Sequence, residues 1–294
     1  MTFSPLLGVN TWVWTSPLTD EVLPGLLRRI VELGFDAVEL PLENPGDLDH
    51  EATAAVLRET GLTPYVVGAM APGRDLVAAS PDAVAGTQDY LRACVDLAAA
   101  VGAPGVCGPF YARTGRVWRL DAEERESAYK EWREHLSPVA EYAAERGVRL
   151  GIEPLNRYET SLINTVEQAM TGLGPLLGPV GLALDTYHLN IEERSSADAI
   201  RLAGGHLSHL QVCGSDRGAP GGDQTDWPAL VAALEEVGYA GPLNIESFTP
   251  DNASIAVAAS IWRPLAASPD DLAADGLAFL RTLLTSRTEG GPDA

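Results

Sequence analysis

Short apolar runs alternate along the chain with longer amphipathic segments in which apolar residues recur at spacings of three and four. This alternation is typical of βα units arranged around a parallel sheet. The predicted strands are about Leu7–Trp14, Asp36–Leu42, Thr63–Met70, Gly105–Phe110, Arg149–Pro154, Val180–Asp185, Leu207–Cys213 and Leu243–Phe248. A helical segment follows each of them, as at Glu21–Leu33, Pro81–Val101, Ala122–Arg146 and Trp227–Val237.

Glycines stand where five predicted helices end, just before the next strand, as left-handed helix caps require. They are Gly34, Gly61, Gly102, Gly147 and Gly238. Because no Pro/Ser-rich linker breaks this series, we predict one α/β domain, a (β/α)8 TIM barrel over residues 1–287, with 288–294 as a flexible tail. Thr249–Pro269 is longer than the other connections, as active-site loops often are. A doubly wound open sheet is the alternative, although no glycine-rich phosphate loop follows the first strand.

Composition narrows the classes of partner. The 294 residues include 20 basic and 41 acidic side chains, and a net charge of −21 opposes binding to nucleic acid or to an anionic membrane. Cys94, Cys107 and Cys213 lack the spacing of a disulfide framework, which indicates a reducing cytoplasm. No segment approaches the roughly 20 apolar residues of a membrane span, and the amino terminus lacks the pattern of a signal peptide. We therefore expect a soluble cytoplasmic protein.

Polar residues end four consecutive predicted strands, the fifth to the eighth. They are Glu153, Asp185, Gln211 and Glu246, in the segments LGIEPLN, LALDTYH, HLQVCG and LNIESF. In a barrel these strand ends meet at one mouth. Small or polar residues such as Gly151 share a face with them, whereas the intervening residues are apolar and point toward the helices.

Three carboxylates in one place repel one another and raise one another's pKa unless a cation lies between them. We therefore predict a divalent metal ion bound by Glu153, Asp185, Gln211 and Glu246. Oxygen ligands favour Mn²⁺, with Co²⁺ and Mg²⁺ as alternatives, over zinc. Capping or surface solubility would account for any one acidic strand end, but not readily for four in succession.

Seven longer segments can be compared with known families: GVNTWVWTSPL at 8–18, GPFYARTG at 108–115, EPLNRYETSLINT at 153–165, LDTYHLNIEE at 184–193, DRGAPGGDQTDW at 216–227, ESF at 246–248 and IWRPLA at 261–266. Together they resemble the xylose isomerase-like barrels, and within them the D-tagatose/D-psicose 3-epimerases. The resemblance implies that Glu153, Asp185 and Glu246 are metal ligands, and that Glu153 and Glu246 are also the catalytic acid/base pair. It implies further that Glu159, His188 and Arg217 bind substrate oxygens, and that such proteins form homodimers or homotetramers.

The chain departs from this family at Gln211, where the epimerases have a metal-binding histidine. A neutral amide leaves the charge of the site unchanged, but it offers a hard carbonyl oxygen instead of a nitrogen. Some 3-dehydroshikimate dehydratase-like members of the superfamily have glutamine here. His209, two residues earlier on the same face, is predicted to lie one layer deeper and not to bind the metal.

Aromatic residues near strand ends can stack on the apolar faces of sugars, and Trp14 and Trp118 are the predicted substrate contacts; packing in the core is the alternative for each. The predicted activity is 3-epimerisation of a ketose, through a metal-stabilised cis-enediolate between two carboxylates. The alternative is elimination: a lyase or dehydratase acting on a 3-keto glycoside, a C-glycoside or a keto-cyclitol, with a partner subunit in some cases. A metal-dependent endonuclease and a non-catalytic sugar-binding protein are less consistent with the charge and with the paired carboxylates.

Overall fold

The computed structural model describes residues 3–289 and contains a closed barrel of eight parallel strands, each paired with its neighbours in chain order. The strands are β1 (Leu7–Asn10), β2 (Ala37–Leu42), β3 (Thr63–Gly68), β4 (Gly105–Gly108), β5 (Arg149–Ile152), β6 (Gly181–Asp185), β7 (Leu207–Val212) and β8 (Leu243–Ile245). The prediction of a single (β/α)8 barrel is therefore confirmed, and an open sheet is excluded.

Helices surround the barrel. They are α1 (Leu23–Leu33), α2 (His50–Thr60), α3 (Pro81–Val101), α4 (Ala122–Glu145), α5 (Val166–Leu173), α6 (Thr186–Glu192), α7 (Ser196–Ala203), α8 (Trp227–Glu236), α9 (Ala253–Ala258) and α10 (Pro269–Glu289). All five predicted cap glycines have positive φ, between 67° at Gly238 and 100° at Gly34. None of the described helices is long and apolar enough to cross a membrane.

Several strands end earlier than the apolar pattern predicts. β1 stops at Asn10 because a 3-10 turn at Thr11–Val13 follows, with the side chain of Asn10 accepting a hydrogen bond from the backbone N–H of Trp12. β8 stops at Ile245, so Glu246 lies just beyond the strand. Apolar residues continue past these strand ends because they pack around the mouth of the barrel. The apolar pattern of the sequence does not distinguish such buried loop residues from strand residues.

The interior of the barrel is polar near the mouth. Barrels of this type are ordinarily filled by layers of branched apolar side chains. Here the buried residues Asn10, Glu39, His209, Gln211 and Asn244 hydrogen-bond to one another across the barrel axis. The registry places Asn10 opposite Glu39, and Gln211 opposite Asn244.

The long connection after β8 covers part of the barrel mouth. It contains α9, and Ile255 and Ile261 are buried there against Trp12 and Phe248. At the end of the chain α10 continues to Glu289, two residues into the segment predicted as a tail. The rest of that segment, 290–294, lies outside the described residues.

Candidate active site

The four predicted strand-end residues converge at the mouth of the barrel, and each is at most 5% exposed. Oxygen atoms of Glu153 and Asp185 and a ring nitrogen of His188 all lie within 4.8 Å of one another. The side-chain N–H of Gln211 donates to Oε1 of Glu246 at 2.7 Å. The four side chains therefore belong to one cluster, in agreement with the prediction from the strand ends.

Arg217 joins the two halves of this cluster. Its Nη1 contacts Oδ2 of Asp185 and lies 3.0 Å from Oε2 of Glu246. The guanidinium lies over the rings of Tyr187 and Phe248, 4.5 and 5.1 Å from their centroids. Three carboxylates and one guanidinium leave the cluster with an excess of negative charge.

The protonation of the carboxylates follows from their burial first and from the neighbouring charges second. Burial raises the pKa of Glu153 well above its usual range, and the nearby charge of Asp185 raises it further. Burial likewise raises the pKa of Glu246, and Asp185 and Glu153 add to the effect. Burial also disfavours ionisation of Asp185, but Arg217, His188 and the backbone N–H of Tyr187 together outweigh it and lower its pKa. Two carboxyl groups here are thus suited to holding and releasing a proton.

His188 is oriented by the loop that follows β5. Its Nδ1 accepts the backbone N–H of Asn156 at 3.1 Å, so in the neutral ring Nε2 carries the proton. Nε2 lies 3.5 Å from Oε1 of Glu153. Burial lowers the pKa of His188, which favours this neutral form. The imidazole can therefore donate one hydrogen bond into the site.

Arg217 adopts a backbone conformation that few non-glycine residues take, with φ at 69°. The buried Ser247 holds it there, because its hydroxyl donates to the carbonyl of Arg217 at 2.6 Å. A backbone fixed in this way fixes the direction of the guanidinium as well.

A cavity of about 570 Å³ opens from the cluster, and Glu153, Glu159, His188, Arg217 and Glu246 all line it. The wall away from the cluster is largely apolar, with Val67, Met70, Pro109, Leu155, Phe248 and Ile255 among its residues. A cavity of this size with a few convergent polar groups is typical of a small-molecule site.

Of the two predicted tryptophan contacts, neither is part of the cavity wall formed by residues 3–289. The indole N–H of Trp14 donates to Asp270 at the start of α10, 2.8 Å away. Trp118 packs under the guanidinium of Arg116, whose Cζ lies 4.6 Å from the centroid of the indole ring. The 3-10 turn after β1 turns Trp12, not Trp14, toward the cavity.

A divalent cation fits the residues present. The amide oxygen of Gln211 is buried and has no hydrogen-bond partner among the described residues, although the amide nitrogen has two. A buried acceptor left without a donor is costly, by about 1–3 kcal/mol. A cation bound by Glu153, Asp185, Glu246 and this oxygen would remove that cost and the repulsion between the carboxylates.

Some residues of the site were not found from the sequence. Glu39 hydrogen-bonds to Gln211, and Asn156 orients His188 and donates to Glu159 at 2.7 Å. The signal for Glu39 was a single glutamate on the inward face of an otherwise apolar strand, DAVELPL. The position of Asn156 within a loop gave no comparable signal.

Comparison with known proteins defines the class. Residues 27–283 match the model of the xylose isomerase-like TIM barrel family, so the chain belongs to that family. It is 31% identical to a ketose 3-epimerase of Arthrobacter globiformis over 286 residues, 95% of this chain and 97% of the relative. It is 30% identical to an L-ribulose 3-epimerase of Methylomonas sp. (strain DH-1) over 278 residues, 93% and 96% of the two chains.

A solved structure supports the same conclusion. The D-allulose 3-epimerase from Methylomonas sp., crystallised in complex with D-allulose, superposes with a TM-score of 0.87 at 28% sequence identity. The superposition covers 96% of this chain and 99% of that one. The resemblance to ketose 3-epimerases that the sequence motifs indicated is therefore confirmed over nearly the full length.

Proposed function

We propose that this protein is a metal-dependent ketose 3-epimerase. The observation that carries the proposal is the convergence of Glu153 and Glu246, two buried carboxyl groups with raised pKa, on one cavity together with His188 and Arg217. The relatives of known activity act on ketoses, which supports a sugar as the substrate.

The two glutamates are positioned for inversion at carbon. They follow β5 and β8, strands three apart in a ring of eight, and so reach the cavity from different sides. One carboxylate removes the proton at C3, and the other, as a carboxylic acid, returns a proton to the opposite face. A raised pKa brings each group closer to the range in which it can perform both steps.

Other side chains hold the substrate oxygens. The Nε2–H of His188 and the guanidinium of Arg217 are the donors, and Glu159, held by Asn156, is an acceptor for a hydroxyl. A divalent cation bound by Glu153, Asp185, Gln211 and Glu246 would polarise the ketone and so acidify the adjacent C–H. Mn²⁺ is the ion we propose, since all four ligand atoms are oxygens.

The charge of the cavity favours a free ketose over a sugar phosphate. Among residues 3–289 the charged side chains that line it are Glu43, Glu153, Glu159, Glu246 and Arg217, whose formal charges sum to −3, or to −1 with a divalent cation bound. A phosphate dianion would meet net repulsion there, whereas hydroxyl groups can donate to the carboxylates.

The experiment is incubation of the Mn²⁺-loaded protein with fructose, psicose, tagatose and sorbose in heavy water, followed by NMR. Epimer formation with deuterium at C3 supports the proposal. An unsaturated product absorbing in the ultraviolet would instead support elimination, the alternative that Gln211 raises. Absence of both exchange and product would contradict an enzymatic role on these sugars.

We further propose a cytoplasmic homodimer or homotetramer. Cys94, Cys107 and Cys213 are all buried and free, as a reducing compartment allows. Val257 and Trp262, in and after α9, expose 64% and 73% of their surface, and contact with a second subunit would remove this apolar surface from water. Light scattering on the purified protein tests the oligomeric state.

A further inference from the structure

Glu39 lies beneath the proposed metal site and is fully buried in the barrel interior. Four polar side chains surround its two oxygens. The amide nitrogens of Asn10, Gln211 and Asn244 donate to it at 2.7, 3.1 and 3.1 Å, and Nε2 of His209 forms the fourth contact. None of the proposed steps of epimerisation uses this buried carboxylate.

The surroundings of Gln211 determine which way its amide faces. Its nitrogen lies between Oε2 of Glu39 and Oε1 of Glu246, 3.1 and 2.7 Å away. Glu39 also accepts hydrogen bonds from the amide nitrogens of Asn10 and Asn244, so it acts here as an acceptor and the amide of Gln211 turns its nitrogen toward it. The amide oxygen then faces away from both carboxyl groups, and it is one of the buried side-chain atoms that have no hydrogen-bond partner among the described residues.

Glu246 by itself is a poor anchor for this orientation, because a cation in the site would draw its oxygens away. Glu39 is held independently of any cation by Asn10, His209 and Asn244. It therefore keeps one acceptor on the nitrogen side of Gln211 whether or not the cation is bound.

We propose that Glu39 is a positioning residue that fixes the amide of Gln211 with its carbonyl oxygen toward the catalytic cation. This inference rests on the proposed function, since it assumes that a cation is bound there. With the amide reversed, an NH₂ group would face the cation and the oxygen would face two carboxylates. Both contacts are repulsive, so loss of Glu39 weakens cation binding through Gln211.

A second cation at Glu39 itself is the competing interpretation, because ligand atoms of Glu39, Cys107 and His209 also lie within 4.8 Å of one another. The carboxylate there already has four side-chain partners. The Cys107 thiol donates to the carbonyl oxygen of Val66 at 3.8 Å, and a thiolate is a soft ligand that suits zinc or copper and not Mn²⁺. We therefore expect one Mn²⁺ per chain.

The test is a double-mutant cycle on Mn²⁺ affinity, with free Mn²⁺ measured by electron paramagnetic resonance. Glu39→Gln and Gln211→Ala should each raise the Kd about 10–100-fold, the usual cost of losing a residue that orients a ligand or the ligand itself. If Glu39 acts through Gln211, the double variant binds Mn²⁺ with a Kd no higher than that of the single variant with the higher Kd. Additive losses, or two Mn²⁺ per wild-type chain, would overturn the inference.

Two further variants separate orientation from packing. Glu39→Asp keeps an acceptor-only group but leaves a void, whereas Glu39→Gln keeps the volume but adds a donor. Orientation predicts that Glu39→Asp binds Mn²⁺ more tightly than Glu39→Gln, and a packing role predicts the reverse order. Asp75→Asn, which removes a buried carboxylate paired with Arg113 and Arg116, is the matched control and should keep the wild-type Kd.

The two proposals fail in different ways. If wild-type protein binds no Mn²⁺, the proposed function fails. If wild type binds Mn²⁺ and Glu39→Gln binds it equally well, with thermal unfolding confirming that the variant is folded, only the role of Glu39 is refuted.

Discussion

Replacement of Glu246 by glutamine separates the two steps of the proposed epimerisation. The substitution preserves the shape of the side chain and removes its ability to accept or return a proton. An amide can still accept the N–H of Gln211, now 2.7 Å from Glu246, but it loses the charge that attracts Arg217 at 3.0 Å. The site should stay assembled while the chemistry on one side of the substrate stops.

The expected loss follows from the role of the group. A positioned general acid or base contributes about 10²–10⁴ in rate, which corresponds to about 2.7–5.4 kcal/mol of activation free energy. We therefore expect kcat for epimerisation to fall by about two to four orders of magnitude at saturating Mn²⁺. Denaturant unfolding measures separately any change in stability that follows from the altered contact with Arg217.

The assay follows each C3 epimer in heavy water by NMR. Because Glu153 is intact in the Glu246→Gln variant, the epimer whose proton faces Glu153 should still exchange its C3 hydrogen for deuterium with retention of configuration. The other epimer presents its C3 hydrogen to the substituted amide and should not exchange. Exchange of one epimer without inversion is the specific result that a two-carboxylate mechanism requires.

Two outcomes would refute this reasoning. Wild-type epimerisation by Glu246→Gln at saturating metal would show that Glu246 carries no proton. Equal residual exchange into both epimers would show that one group serves both faces. Mn²⁺ binding by the variant must be confirmed first, because Glu246 is also a proposed ligand of the cation.

Three other perturbations test the site. Ser247→Ala removes the hydroxyl that donates to the carbonyl of Arg217, and it should lower the free energy of unfolding in urea by about 1–3 kcal/mol and raise KM. An unchanged KM would show that Arg217 binds substrate without this hydrogen bond. Gln211→His should shift metal preference from Mn²⁺ toward Zn²⁺ and Ni²⁺ in competition binding, and an unaltered preference would show that this side chain is not a ligand. In metal-free protein the pKa of Glu246 is higher in the folded state than in the unfolded state, so protonation of Glu246 stabilises the fold. This stabilisation is fully present below the pKa of glutamate in the unfolded chain, and it is lost as pH rises through the pKa in the folded state. The stability of wild type relative to Glu246→Gln should therefore fall from mildly acidic to alkaline pH, and a constant difference in urea unfolding would contradict the raised pKa.

The architecture and the carboxylate cluster could be predicted from the sequence because both depend on local, repeating features. The period of apolar residues and the capping glycines such as Gly34 and Gly102 define βα units, and eight such units close into a barrel. Barrel closure brings strand ends together, so Glu153, Asp185 and Glu246 had to meet wherever the exact strand boundaries fell.

Only the tertiary structure decided which side chains from different strands contact one another and which way the side chains point. Glu39 contacts Gln211 across 172 residues of sequence, through the closed barrel interior and not through any local pattern. Trp12 lines the cavity and Trp14 does not, because the turn after β1 redirects the chain within three residues. Hydrophobic periodicity reports which residues are apolar on one element, whereas the neighbour that a side chain meets depends on strand registry and on the loops at the barrel mouth.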